Sequence, residues 1–155
     1  MGLWYRITKK QYKNKAFNGD GGLYASGRWN HKGVKVVYCS SSISLAALEW
    51  LSHQGVKVIG TDWVKFSIDI PDSEIAIFRS QQLPNGWDRI PDSNISRDFA
   101  TKNLFESDRL AIAVPSVVIP EEMNLIVNPN HSLMPSLKIT YVGINKFNSR
   151  LAASE

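Results

Sequence analysis

The chain has 155 residues, of which 43% are hydrophobic and 21% are charged, and it contains five Trp, six Phe and five Tyr. This composition excludes intrinsic disorder and supplies the core of one ordinary domain. Eighteen Lys and Arg against 14 Asp and Glu give a net charge of +4, which is either routine solubility charge or a preference for anionic partners.

The sequence has neither a long apolar run nor a cysteine framework. No stretch approaches the roughly 20 apolar residues of a membrane-spanning helix, and no apolar segment follows the first charged residues as it does in a signal peptide. Cys39 is the only cysteine, so we expect no disulfide and no cysteine-based zinc cluster. These features predict a cytoplasmic protein with one domain, residues 1–155, and without a metal site or a membrane contact.

The first half of the chain is predicted to form a strand, a long loop, a second strand and a helix. They span residues 3–8, 9–30, 34–39 and 43–54. The first strand is rich in aromatic and β-branched residues, and Arg6 lies in it among large apolar groups, where a charge is costly without a partner. The helix follows three serines that could cap its start, and Gly55 ends it.

The second half is predicted to contain short strands and a second helix. The expected strands and apolar segments are residues 56–59, 63–70, 75–78, 110–114, 117–119, 125–127 and 137–142. A loop with Pro and Gly, residues 82–94, precedes a helix over residues 95–105. Many short strands with two or three helices and no regular βαβ alternation indicate an α+β fold.

Common nucleotide-binding and metal-binding motifs are absent. The patterns GxGxxG, GxxxxGKS or GxxxxGKT, HExxH and GxSxG do not occur. His31, His53 and His131 are far apart in the sequence, so a three-histidine zinc site would be a coincidence of folding. An ordinary kinase, hydrolase or metalloenzyme is therefore disfavoured.

Two charged residues are candidates for chemistry. Glu49 is the only residue with a formal charge at pH 7 between Lys35 and His53. It lies either on a solvated helix face or in a cleft wall, where it could stabilise a developing cation or act as a base. Arg28 follows Gly27 and is either a surface arginine or a bidentate ligand for a phosphate.

Four further residues have open roles. Tyr38 is either a core tyrosine or a ring that stacks on a flat ligand. Ser116 follows Pro115 within an apolar stretch and is either a satisfied core hydroxyl or a donor in a site. Asn128 and His131 belong to a segment rich in Asn and Pro, where turn chemistry alone would explain most of the pattern.

The order and spacing of several segments resemble the RES-domain family, the toxin half of bacterial RES–Xre toxin–antitoxin pairs. The matching segments are Tyr5-Arg6-Ile7, Gly27-Arg28-Trp29-Asn30 with Gly33, Val37-Tyr38 with Ser40, Ala46-Ala47-Leu48-Glu49, residues 114–120, residues 124–129 with His131, and residues 147–151. The chain departs from the family's pattern at Ser26, where glycine is usual, and at Asn148-Ser149, where Asp-Pro is usual. Residues 81–105 match least.

The resemblance implies an ADP-ribosyltransferase-like fold, with short twisted β-sheets and a few flanking helices, that acts on NAD as a substrate and needs no cofactor. Members cleave the nicotinamide–ribose bond with water or phosphate as acceptor, and some modify a protein instead. Carried over by position, the catalytic residues would be Glu49, Arg28 and Ser116. The substrate-binding residues would be Arg6, Arg28, Trp29, Tyr38, Asn128 and His131.

The resemblance also implies partners. We expect an Xre-type antitoxin that blocks the active site and itself contacts DNA, and a homodimer within a larger toxin–antitoxin complex. Two alternatives remain: a protein-directed ADP-ribosyltransferase, and a non-enzymatic basic module that stacks nucleic-acid bases on Trp29 or Trp87. Release of nicotinamide from NAD would discriminate between an enzyme and a binding module.

Overall fold

The structure, a computed structural model, describes residues 2–152, which contain a seven-stranded sheet. The strands are β1 (Gly2–Lys9), β2 (Val37–Ser40), β3 (Asp62–Ile70), β4 (Ile75–Ile77), β5 (Ala111–Pro115), β6 (Met123–Val127) and β7 (Lys138–Lys146). Their order in the sheet is β4-β5-β6-β2-β1-β3-β7. The β4–β5 pair is parallel, and the other pairs are antiparallel.

Short helices accompany the sheet. The α-helices in residues 2–152 are α1 (Gly21–Tyr24), α2 (Ile43–Gln54) and α3 (Asn94–Ala100), and α3 continues into a π-helical turn, Thr101–Phe105. A 3-10 segment with a kink at Tyr12 spans Lys10–Lys15. Single 3-10 turns lie at Val56–Val58, Asp72–Glu74, Ser80–Gln82, Met134–Ser136 and Ser149–Leu151. None of the helices in this part of the chain is long and apolar enough to cross a membrane.

The predicted α+β class is confirmed, and the strands that were expected as short sheets join in one sheet. The prediction of a strand at residues 56–59 is wrong. That segment forms a 3-10 turn in which the Ile59 amide donates to the Val56 carbonyl at 3.0 Å, and only Val58 is buried. Gly55, with a φ of 78°, ends α2 and directs the chain into this turn.

Two other segments differ from the prediction. Residues 117–119 form a turn, because the amides of Val118 and Ile119 donate to the Ser116 hydroxyl instead of a neighbouring strand. Strand β7 continues to Lys146, beyond the predicted end at residue 142, because its pairing with β3 resumes after a β-bulge at Lys65 and Phe66 and continues as far as Asp62.

Both faces of the sheet are buried at β2, β5 and β6, whereas the edge strand β7 is largely exposed. On one face, Val37, Ile68, Leu125 and Val127 form an apolar cluster against which Trp4 packs. Side chains alternate along a strand, so the intervening residues point to the opposite face.

On that opposite face two clusters lie side by side. Ile112, Val114 and Ile126 pack against the end of α3 and the π-helical turn. Ile7 and Ala46 bring α2 onto β1 and β3. The gap between the two clusters is where the polar residues of the candidate site converge.

Candidate active site

Glu49 lies in the middle of α2 and directs its carboxylate toward β5 and β6. Its Oε2 atom accepts a hydrogen bond from Ser116 Oγ at 2.7 Å and another from Asn124 Nδ2. No group in residues 2–152 donates to the other oxygen, Oε1. The Glu49 side chain is half-buried, so it is not the freely solvated helix residue of the simpler interpretation.

Ser116 follows β5 and is fully buried. Its Oγ accepts hydrogen bonds from the amides of Val118 and Ile119, both at 3.0 Å, and donates to Glu49. Its own amide donates to the Glu122 carbonyl at 2.8 Å. Ser116 therefore combines both roles that the sequence left open, because it closes a buried turn and also donates to the candidate catalytic carboxylate.

Tyr38 lies on β2, two residues before Ser40 and on the same sheet face. Its Oη donates to Asn30 Oδ1 at 2.6 Å and accepts a hydrogen bond from the Trp29 amide at 3.1 Å. Burial raises the pKa of Tyr38, so the phenol stays neutral. A Cβ atom on Gly27 would lie 2.5 Å from this oxygen, so only glycine allows the loop to approach the ring.

Arg28 connects two loops near Tyr38. Its Nη1 atom donates to the carbonyls of Trp87 at 3.0 Å and Arg89 at 2.9 Å, and its own carbonyl accepts a hydrogen bond from Ser96 Oγ at 2.6 Å. Burial raises the pKa of Tyr38, and the positive charge of the Arg28 guanidinium partly opposes that rise. Its Nε and Nη2 atoms donate to no group in the part of the chain that the structure describes, so they can meet an anion.

Trp29 is buried, with 2% of its surface exposed. Its indole stacks on Trp87 at a centroid distance of 5.9 Å and meets the edge of Phe99 at 6.2 Å. The ring therefore packs beneath the loop, and its faces are not accessible for stacking on a nucleic-acid base or a substrate.

Arg6 lies on the sheet face away from Glu49, the same face as Trp4. Its guanidinium donates to the carbonyl of Ala16 and, at 3.1 Å, to that of Tyr38. Desolvation lowers the pKa of Arg6. The structure does not bring Arg6 to Glu49. Instead, the hydrogen bonds of Arg6 connect the loop after β1 with β2.

Asn128 and His131 lie beyond the other end of β6. Asn128 Oδ1 accepts a hydrogen bond from the Asn130 amide, and His131 Nδ1 accepts one from the Leu133 amide, both at 3.1 Å. Asn128 lies four positions after Asn124 along the chain, a distance of about 13 Å in extended backbone. The structure therefore does not bring these two residues to Glu49, and their contacts are those of the turn chemistry that the sequence left as the alternative.

Ser40 and Asn124 also belong to the site, although in the sequence they stood out only as parts of matching segments. Ser40 Oγ donates to Asn124 Oδ1 at 2.7 Å. Strand alternation could have placed Ser40 on one face with Tyr38. Nothing in the sequence shows that β2 pairs with β6, so the contact between Ser40 and Asn124 could not have been predicted.

Other features of the surface lie apart from this site. A groove of about 500 Å³ runs between α2, β3 and the end of β7, and Glu49 does not line it. In residues 2–152 no group of three or more His, Cys, Asp or Glu is arranged to hold a metal ion.

The chain is similar in sequence to known proteins. The model of the RES domain family matches residues 3–143. The chain is 37% identical over 129 residues to Toxin Res of Yersinia enterocolitica, which covers 83% of this chain and 85% of that one. It is 34% identical over 125 residues to the Prs ADP-ribosylating toxin of a Sphingobium species, which covers 79% and 78%.

A solved structure has the same fold. The crystal structure of the M. tuberculosis MbcT–MbcA toxin–antitoxin complex contains a chain that superposes with a TM-score of 0.70. The superposition covers 97% of this chain and 86% of that chain, at 16% sequence identity. At this identity the likeness establishes a shared fold.

Proposed function

The chain belongs to the RES domain family, and on that basis we propose that it is the toxin of a toxin–antitoxin pair and depletes NAD by cleaving the nicotinamide–ribose bond. The observation that carries the proposal is the Glu49 carboxylate. One of its oxygens is held by Ser116 and Asn124, and the other is available to a ligand. Relatives that are 37% and 34% identical bear the names of toxins, one of them ADP-ribosylating.

Cleavage of this bond requires negative charge beside the ribose. As the bond between ribose C1′ and the nicotinamide nitrogen breaks, its electron pair stays with the nitrogen, neutral nicotinamide leaves, and positive charge develops on the ribose. In the proposed mechanism Glu49 Oε1 accepts a hydrogen bond from a ribose hydroxyl and stabilises that charge. An oxygen of water or of ionised phosphate then bonds to C1′; when the acceptor is water, its proton passes to Glu49 or to solvent.

Arg28 is proposed to bind the NAD pyrophosphate through Nε and Nη2. Because two carbonyls already hold Nη1, the guanidinium is oriented before the substrate arrives, and less side-chain entropy is lost on binding. Tyr38 is proposed to stack on the nicotinamide or the ribose.

The substrate-binding roles expected for four other residues stay predictions. Those of Arg6, Asn128 and His131 gain no support from their hydrogen bonds to the backbone. The role of Trp29 gains none from its burial.

The proposed partner is an Xre-type antitoxin that covers the active site. The structural neighbour was solved with its antitoxin, which supports a partner of that kind. A homodimer within the larger complex and a cytoplasmic location belong to the same proposal.

A second candidate function is transfer of ADP-ribose to a protein. The specific observation that favours it is the name of the Sphingobium relative, Prs ADP-ribosylating toxin. The same carboxylate and arginine would serve this reaction, because the bond that breaks is the same and only the acceptor differs.

Incubation of the purified protein with NAD, with and without inorganic phosphate, tests these functions. We expect nicotinamide in amounts equal to the NAD consumed, together with free ADP-ribose or its phosphorylated product. Labelling of a bacterial protein with little free ADP-ribose would instead support the second function. Absence of nicotinamide release, together with salt-sensitive binding to DNA or RNA, would contradict both and favour the nucleic-acid-binding alternative.

A further inference from the structure

We propose that Asn124, held by Ser40, is a positioning residue that fixes the Glu49 carboxylate and makes Oε1 its reacting atom. This inference rests on the proposed NAD-cleaving function, but it concerns hydrogen bonds that exist without substrate. It follows from the direction in which each hydrogen bond of the network must run.

The direction of the Ser116 hydrogen bond is fixed by its backbone contacts. A serine hydroxyl has one proton to donate and two lone pairs that accept. The amides of Val118 and Ile119 occupy both lone pairs. The single Ser116 proton must therefore go to Glu49, 2.7 Å away, and Glu49 Oε2 must accept it.

The direction of the Asn124 hydrogen bond is fixed by the Glu49 carboxylate, which can only accept. The Nδ2 side of the amide therefore faces Glu49 and donates to Oε2, because the reversed amide would place Oδ1 against a carboxylate oxygen, which is repulsive. In this orientation Oδ1 faces Ser40, and the Ser40 hydroxyl donates to it at 2.7 Å. Ser40 thus holds the amide in the orientation that Glu49 requires.

The network is held by rigid elements. Ser40 and Asn124 are register partners on the adjacent strands β2 and β6, and Ser40 is 4% exposed. Strand positions hold side chains more precisely than loops do. The two donors occupy Oε2, so a ribose hydroxyl or a proton from the acceptor can meet Glu49 only at Oε1.

Steady-state kinetics of Asn124 variants test the role. Asn124→Ala removes one hydrogen bond to a charged group, so we expect kcat to fall on the order of 10- to 100-fold with little change in KM. Asn124→Asp keeps the shape but places an acceptor against Oε2, so we expect a larger loss than for Asn124→Ala. The matched control is Asn130→Ala, an exposed position. Normal kcat in Asn124→Asp would overturn the inference.

Ser40 variants separate orientation from packing. Ser40→Thr keeps the hydroxyl and adds a methyl group in a buried position, whereas Ser40→Ala keeps the space and removes the hydroxyl. We expect Ser40→Thr to retain more kcat than Ser40→Ala, and the exposed Ser41→Ala control to match the wild type. If Ser40→Ala were the more active variant, the residue would serve packing and the inference would be wrong.

A measurement without NAD distinguishes failure of this inference from failure of the proposed function. The side-chain amide protons of Asn124, identified in NMR spectra by their loss in Asn124→Ala, should exchange slowly with solvent in the wild type. They should exchange faster in Ser40→Ala and in Glu49→Ala. Unchanged exchange in both variants would contradict the network, whereas intact protection without any NAD cleavage would contradict only the proposed function.

Discussion

Glu49 and Arg28 share one arrangement: each side chain is held at one atom and available at another. Glu49 is held at Oε2 by Ser116, and Arg28 is held at Nη1 by two backbone carbonyls. The sequence indicated these two residues through the resemblance to the RES-domain family, because on their own Glu49 fits a solvated helix face and Arg28 fits a surface loop. It could not show which atoms are occupied, because those contacts come from segments distant in the chain.

Substitution of Arg28 should weaken substrate binding. Arg28→Ala removes the proposed pyrophosphate contact, and we expect NAD affinity to fall on the order of 10-fold or more, as for the loss of a charge-assisted hydrogen bond. Calorimetric titration against the exposed control Arg79→Ala provides the measurement. Equal affinities in the two variants would remove Arg28 from the site.

Cys39 should make stability depend on pH in alkaline solution. Burial raises the pKa of Cys39 from its usual 9.0 to about 12. The folded state therefore keeps a thiol proton that the unfolded chain releases. The contribution of Cys39 to the free energy of unfolding is complete below pH 9.0 and is lost as the pH rises toward about 12.

We expect the free energy of unfolding in that alkaline range to fall more steeply for the wild type than for Cys39→Ala, by up to about 1.4 kcal/mol per pH unit. Chemical denaturation at several pH values measures both slopes. Parallel curves would show that the buried thiol does not contribute.

At the scale of elements, α2 was predicted with its observed bounds because its signals are local. Ser42 accepts a hydrogen bond from the Leu45 amide at 3.0 Å, and Gly55 ends the helix with a positive φ. The turn at Val56–Val58 was predicted wrongly as a strand because a short apolar segment has no distinguishing period. Strand pairing was the least predictable feature, since it depends on contacts between distant segments.

The cap of α2 can be tested separately from the chemistry. Ser42→Ala leaves an unsatisfied amide at the helix start, so we expect the free energy of unfolding to fall by about 0.5–2 kcal/mol. Ser44→Ala is the matched control, because Ser44 lies two residues later in the first turn of α2 and is exposed. Denaturant titration should place Ser42→Ala below Ser44→Ala in stability, and the reverse order would refute the capping role.

At the scale of the whole molecule, the site forms where one helix and three strands meet on one face of the sheet. Glu49 comes from α2, Ser40 from β2, Asn124 from β6, and Ser116 from the turn after β5. These residues converge because β6 lies between β5 and β2. The net charge of +4 is compatible with the anionic substrate proposed above, although routine solubility charge explains it equally well.

The central claim is that Glu49 is the carboxylate that drives cleavage of NAD. The most direct measurement compares the rate of nicotinamide release for the wild type, Glu49→Gln and the exposed control Glu106→Gln at equal concentrations of folded protein. We expect Glu49→Gln to be slower by about 100-fold or more, because the amide carries no negative charge to stabilise the ribose cation, and Glu106→Gln to match the wild type. Equal rates for all three proteins would contradict the claim.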